Sequence, residues 1–248
     1  SFIATLGAIV HVGTKPVLVD VKEDFNIDES LIEKKITSKT KAIMPVHWTG
    51  RMCNMTKIRK IAKKNNLYVI EDAAQAMGSY FNKVHAGKFS DIAAFSTHPL
   101  KNLNALGDGG FITTDNKQLY EKIRLNRNHG LKSRDNVEFF GLNSRLDVLN
   151  AEVLKFRLKK LKNVNKKRRS NTSIYKKYLN NISQIKIAED KKEELNSYVM
   201  FLIQAKNRDK LQKFLTKKGI QSLVYYSKPL HKHTASKKFK FKSGTLPV

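Results

Sequence analysis

Cysteine is almost absent: Cys53 stands alone in 248 residues, so no internal disulfide can brace the fold and no cysteine cluster can hold a metal. His231 and His233 do not complete a metal site with it, and none is expected. No apolar run approaches the roughly 20 residues of a membrane-spanning helix, and mean hydropathy is −0.47, so a membrane protein is not expected. No signal-peptide pattern opens the chain, which makes the cytosol the expected location. The chain has no internal repeat and no low-complexity linker. It begins with Ser1 rather than Met and stops abruptly at Leu246-Pro247-Val248, so it reads as a fragment.

Acidic side chains are scarce, 21 against 48 Lys and Arg, for a formal net charge of +27. The imbalance is uneven. Residues 1–150 carry 22 basic and 15 acidic side chains; residues 151–248 carry 26 and 6. Lys166-Lys167-Arg168-Arg169 and Lys237-Lys238-Phe239-Lys240 are typical of the second part. Such charge favours anionic ligands and keeps a nucleic-acid-binding protein as a competing reading. Zinc-ligand spacing, RNP-like aromatics and a convincing helix-turn-helix are all missing, so a solvated lysine-rich surface accounts for it better.

Hydrophobic residues make up 40% of the chain, enough for a packed core, and their spacing alternates between strand and helix periods. Strands are predicted at Pro16–Val21, Ala42–His47, Leu67–Asp72, Ile92–Ser96 and Gly110–Thr114. Helices are predicted at Asp28–Ile36, Met55–Asn65 and Asn116–Arg127. In the helix from Met55, Ile58, Ile61 and Ala62 share one face while Lys57, Lys60, Lys63 and Lys64 point out. This alternation predicts an α/β domain with a mainly parallel sheet over residues 1–162. After Asp147 the pattern changes. Helices at Leu149–Leu161, Val164–Leu179 and Asp209–Lys218, the last with Gly219 as its C-cap, and strands at Ile182–Ala188, Val199–Gln204 and Gln221–Tyr225 predict a smaller, incomplete α+β domain over residues 163–248.

Ligands of open α/β sheets gather at the carboxyl ends of strands. Asp72 sits at one such end, in Glu71-Asp72-Ala73-Ala74-Gln75-Ala76. Ser96 ends another, followed by Thr97-His98-Pro99-Leu100-Lys101-Asn102-Leu103 and then Gly107-Asp108-Gly109-Gly110. A lysine whose pKa is lowered by burial becomes an amine nucleophile toward carbonyl compounds. A strand-end Asp can pair with a pyridinium nitrogen, and Lys with Asp in this way is how proteins hold pyridoxal phosphate. Taken singly, Asp72 could equally be a strand-end cap, Phe2 a core residue and Asn143 a helix cap.

These motifs, together with Ser1-Phe2-Ile3-Ala4-Thr5, Pro16–Asp20, His47-Trp48-Thr49-Gly50, Asn128-His129-Gly130, Gly141-Leu142-Asn143-Ser144-Arg145 and Lys228-Pro229-Leu230-His231, stand in the order of the DegT/DnrJ/StrS family. The chain resembles these pyridoxal-phosphate-dependent sugar aminotransferases of fold type I along nearly its whole length. The resemblance implies that Lys101 is the catalytic residue, holding pyridoxal 5'-phosphate covalently and shuttling a proton. It implies that Asp72 pairs with the ring nitrogen, Gln75 bonds near the ring's phenolic oxygen, Ser96 donates to the phosphate and Phe2 stacks on the ring. Asn143 would reach a partner's phosphate across a homodimer, and His231 would lie near the substrate. The implied reaction moves an amino group from glutamate or glutamine to a keto group of a nucleotide-linked deoxysugar, for lipopolysaccharide or another cell-surface glycan. Members with His at the Lys101 position act as sugar dehydratases; lysine here favours transamination over that and over a catalytically silent relative. The family also carries an N-terminal segment whose Gly-Thr turn at a helix start holds the cofactor phosphate, and more of the small domain; both are expected to be missing from this fragment, which would weaken its hold on cofactor.

Overall fold

The computed structural model describes residues 2–241 and residue 246; Ser1 of the first motif lies outside them. Helix α1 (Ile3–His11) leads to strand β1 (Ala42–Ile43), helix α2 (Met55–Lys64) and strand β2 (Tyr68–Asp72). A hairpin, β3 (Tyr80–Phe81) and β4 (Val84–His85), precedes β5 (Ile92–Ser96) and β6 (Gly110–Thr113). Then come α3 (Lys117–Asn126), the small hairpin β7 (Leu131–Ser133) and β8 (Asn136–Val137), α4 (Val148–Leu158) and α5 (Leu161–Leu179). Short strands β9 (Ile185–Lys186), β10 (Glu194–Leu195) and β11 (Gln204–Ala205) and helix α6 (Arg208–Lys217) follow.

The main sheet has the order β1-β2-β5-β6. β1 and β2 are parallel, β2 and β5 are parallel, and only β6 runs antiparallel. This is the expected α/β sheet with one reversed edge. Its register sets Asp72 opposite Ala94 and Ser96 opposite Gly110, so Asp72 and Ser96 end neighbouring parallel strands on the same side of the sheet. Helix α2 covers one face. Met55, Ile58 and Ala62 are buried with Ile43, Val69, Ala73, Ala93 and Phe95 in a single core cluster, while the lysines of α2 face water as their spacing requires. Asn54 caps the helix by accepting from the amide of Lys57.

Several predicted elements are shorter than the apolar pattern suggests. Pro16–Val21 is extended chain with a single bridge from Val21 to Ile27. Asp28–Ile36 is two 3-10 turns, Glu29–Leu31 and Glu33–Lys35, the first capped by Asp28. The strand expected through His47 stops at Ile43, because Pro45 has no N–H to give a ladder; pairing resumes as a bridge between Val46 and Asp72. In the second part, Ile182–Ala188 and Val199–Gln204 shrink to the two-residue pair β9 and β11, and Gln221–Tyr225 forms no strand. Extended propensity makes a strand only where a partner lies alongside. Helices α3 to α6 match their predicted spans within a few residues, and Gly219, at φ +74°, follows the last turn of α6 with its N–H bonded to Thr216 O.

The second part of the chain is tied into the first. Strand β10 pairs with β3. At the start of α5, buried Asn165 accepts from Asn102 Nδ2 at 2.7 Å and donates to Met77 O at 3.0 Å; Asn102 Nδ2 also reaches Ser197 O at 2.8 Å. Arg51 is buried against the later segment, bonded to Asp190 Oδ1 at 2.9 Å and Glu189 O at 2.7 Å, and paired with Glu194. Asn165→Ala would leave buried polar atoms without partners at the Lys101 loop, and we expect it to lower stability by about 1–3 kcal/mol. The exposed neighbour change Lys167→Ala should stay within about 0.5 kcal/mol. Urea unfolding of the two variants checks the difference.

Candidate active site

The carboxyl end of β2 carries two acids of opposite fate. Side chains alternate across a strand, so Glu71 and Asp72 point to opposite faces. Glu71 is fully buried. Its Oε2 meets His47 Nε2 at 2.7 Å and the Gly87 amide at 2.9 Å; its Oε1 accepts from Ser90 Oγ at 2.7 Å and the Phe89 amide at 3.2 Å. The amide of Cys53 donates to His47 Nδ1, so the ring proton sits on Nε2 and points at Glu71. Burial opposes the charge on Glu71, but the bonds from His47, Ser90 and Gly87 outweigh it and hold the carboxyl below the ordinary glutamate range.

Asp72 is half-buried and keeps acceptor capacity. Its Oδ1 accepts from the Ala74 amide at 3.1 Å and its Oδ2 from Thr5 Oγ1 at 2.6 Å. A carboxylate has about four acceptor sites, so two remain. Lys101 lies in the loop between β5 and β6, where its amide bonds to His98 O at 2.8 Å. Its side chain is half-buried and makes no hydrogen bond or ion pair among the described residues. Burial pushes the Lys101 amine below the ordinary lysine range, and the charge of Asp72 offsets this in part. The loop is anchored one residue on by Asn102, held to Asn165 and Ser197.

Ser96 Oγ accepts from the His98 amide at 3.2 Å, and its own proton has no acceptor among the described residues. Gln75, in the turn after Asp72, is buried and accepts at Oε1 from the Thr49 amide at 2.6 Å; its Nε2 has no acceptor among the described residues. Thr49 is in the left-handed region at φ 59°. Gly50, at φ +92°, lets the backbone pass within reach of Ser197 and Tyr198: a Cβ there would stand 2.4 Å from Ser197 Oγ.

Phe2 is 55% exposed, so it is not a core residue. Its ring lies 6.1 Å from that of Tyr226, which in turn lies 5.6 Å from Trp48, next to Thr49. Phe2 thus borders the same region as Asp72 and Gln75. His231 is half-buried in the 3-10 turn Leu230–Lys232, five residues beyond Tyr226, and among the described residues no hydrogen bond or ion pair joins its ring to Lys101 or Asp72. Asn143 is exposed. It accepts from Arg145 Nε at 3.0 Å and does not cap α4, whose N-cap is Asp147; among the described residues no hydrogen bond joins its side chain to the other candidates.

Sequence reasoning missed Thr5, which bonds to Asp72, the burial of Glu71 as the partner of His47, and the aromatic contact of Trp48 and Tyr226; for His47 a supporting hydrogen bond is the expectation from sequence, and the structure shows it. Thr5, His47, Trp48 and Glu71 all stood inside recognised motifs, but only the fold shows what they touch. Tyr226 carried no local signal.

A pyridoxal phosphate cofactor fits this donor set. An amine whose pKa burial lowers, a carboxylate with open acceptor sites, a free hydroxyl proton and a free amide donor suit an aldehyde carbon, a ring nitrogen and anionic oxygens.

The model of the DegT/DnrJ/EryC1/StrS aminotransferase family matches residues 1–248. A pleiotropic regulatory protein of Geobacillus stearothermophilus is 40% identical over all of this chain and 67% of its own length. A dTDP-3-amino-3,6-dideoxy-alpha-D-galactopyranose transaminase of Aneurinibacillus thermoaerophilus is 41% identical over 95% of this chain and 65% of that protein. Among solved structures, DesV of S. venezuelae in complex with a ketimine intermediate superimposes with a TM-score of 0.97 at 35% identity, covering 100% of this chain and 67% of that one. This chain therefore spans about two thirds of the length of the relatives it matches.

Glu71 generates a prediction about acid stability. Its folded pKa is depressed, so its contribution is complete above the unfolded glutamate value of about 4.3 and is lost as pH falls through the lower folded value. Glu71→Gln should flatten the acid limb of a stability profile taken from pH 7 to pH 3. Glu71→Ala, which strands His47 and three donors, should cost about 3–5 kcal/mol at pH 7. Chemical unfolding at a series of pH values reads both.

Proposed function

Because the chain belongs to the DegT/DnrJ/EryC1/StrS aminotransferase family, we propose that its protein is a pyridoxal-phosphate-dependent aminotransferase acting on a keto sugar linked to a nucleotide. One observation carries the reading: the half-buried amine of Lys101, lowered in pKa and free of any ion pair among the described residues, stands within the field of Asp72. Named relatives support the substrate class, among them transaminases of dTDP-linked sugars and a GDP-perosamine synthase of Escherichia coli O157:H7.

When bound, the cofactor supplies a protonated heteroaromatic ring that withdraws electrons from the carbon bearing the amino group. Lys101 holds it covalently through Nζ and, when released, carries a proton at that atom between the two reacting carbons. Asp72 keeps the ring nitrogen protonated through its open acceptor sites. Gln75 Nε2 donates toward the phenolic oxygen, Ser96 Oγ toward the phosphate, and Phe2 covers one ring face. His231 faces the sugar substrate. Asn143, exposed and joined to these groups by no hydrogen bond among the described residues, serves the site of a second copy in a homodimer. By the resemblance the amino donor is glutamate or glutamine and the product feeds a cell-surface glycan; a cytoplasmic location is the reading from the sequence, which carries no signal-peptide pattern. Among the described residues, no helix is long and apolar enough to cross a membrane.

The test uses pyridoxal phosphate and borohydride. Reduction should fix one cofactor on Lys101, read by peptide mass, and none in Lys101→Ala; a protein of the relatives' full length, carrying the N-terminal segment that would hold the phosphate, that still retains no cofactor ends the proposal. In cofactor-free protein, acylation of Lys101 should reach half its maximal rate below the ordinary lysine pKa of about 10.4. Asp72→Asn should move that midpoint further down, because the carboxylate favours the ammonium form.

A further inference from the structure

The plane of the Asp72 carboxylate is set by one side chain from far along the chain. Ala74 donates to Oδ1 from two residues away, a local turn bond that still leaves the broad terminal torsion of an aspartate poorly defined. The second donor is Thr5 Oγ1, 2.6 Å from Oδ2 and 67 residues earlier. No Lys, Arg or His of the described residues pairs with Asp72 within ion-pair distance, so these two bonds define its orientation. A hydroxyl has one proton, and Thr5 commits it to Asp72 instead of bonding back to its own helix. Its position is itself fixed: α1 buries Leu6, next to Thr5, and the same helix begins beside Phe2.

We propose that Thr5 is a positioning residue for Asp72. Its hydroxyl turns the carboxylate so that the open acceptor sites face the ring nitrogen, and it locks the first turn of α1, with Phe2 ahead of it, to the end of β2. One hydrogen bond thereby sets both the acid below the ring nitrogen and the aromatic at the ring face. The proposal rests on the reading that Asp72 faces that nitrogen.

The test compares Thr5→Val, Thr5→Ser and Asp72→Asn in the same protein. Thr5→Val keeps shape and removes the hydroxyl. It should raise the dissociation constant of pyridoxal phosphate about tenfold, as expected for a hydrogen bond to a charged group. It should also shift the pH midpoint of the bound cofactor's visible band and lower kcat with little change in KM for the sugar nucleotide. Thr5→Ser, which restores the proton donor, should return all three readings close to wild type. Cofactor-free Thr5→Val should melt only a few degrees below Thr5→Ser, as the loss of one hydrogen bond allows, so that recovery of cofactor binding and of the band titration in Thr5→Ser separates positioning from a merely structural role. Wild-type cofactor binding and band titration in Thr5→Val overturn the proposal, as does a Thr5→Ser that behaves like Thr5→Val. Asp72→Asn that keeps wild-type cofactor binding and spectrum would instead overturn the placement of Asp72 on which the proposal rests.

Discussion

The buried carboxylate of Glu71 organises this molecule. It accepts four hydrogen bonds, which use every acceptor site a carboxylate has. The donors come from the turn after β1 and from the connection between β4 and β5. One side chain thus gathers three stretches of chain under the carboxyl ends of the parallel strands, with no water needed to complete it. Removing a buried ion from such a setting is costly because its partners stay behind. Asp72, the next residue, points to the other face with only two of its sites used. Chemically the two acids are near-identical. Their difference lies in how many of their lone pairs the fold has already satisfied.

The same reasoning distinguishes Lys101 among 48 basic side chains. Most lysines here are solvated or lie on outward helix faces, where water stabilises the ammonium. Lys101 is held half-buried by a loop whose next residue, Asn102, is bonded to α5 and to Ser197. The loop is anchored by its neighbour, so the lysine itself carries no structural bond and remains available. The high net charge therefore says little about the site; the local loss of solvation says much more.

The sheet and the helices were legible wherever a local pattern is reinforced by burial. Leu67–Asp72, Ile92–Ser96 and the helix from Met55 have clean periods and a core to face. Asp72, Ser96 and Lys101 fall at or just beyond strand ends, which made them candidates; their roles and that of Gln75 came from the order of the motifs, and the fold adds that the Asp72 carboxylate stands close enough to act on the Lys101 amine. Strands of the second part were overestimated, since Gln221–Tyr225 has extended propensity but no neighbour to pair with. Thr5, Asn165, Arg51 and Tyr226 act through contacts with distant segments, and nothing in their immediate sequence announces those partners. The two-residue ladder of β9 and β11 was equally hidden, because its length is set by its partner.

The bonds that assemble the site span long stretches of chain: 67 residues between Thr5 and Asp72, 95 between Asn102 and Ser197, and 122 between Ser197 and Gln75. A ribosome delivers the chain from its N-terminus, so Lys101 emerges well before Ser197. Until that serine and its neighbours have docked, the lysine loop lacks one of the two groups that anchor Asn102. The setting of Lys101 is thus a product of late tertiary closure and belongs to no local stretch of the chain.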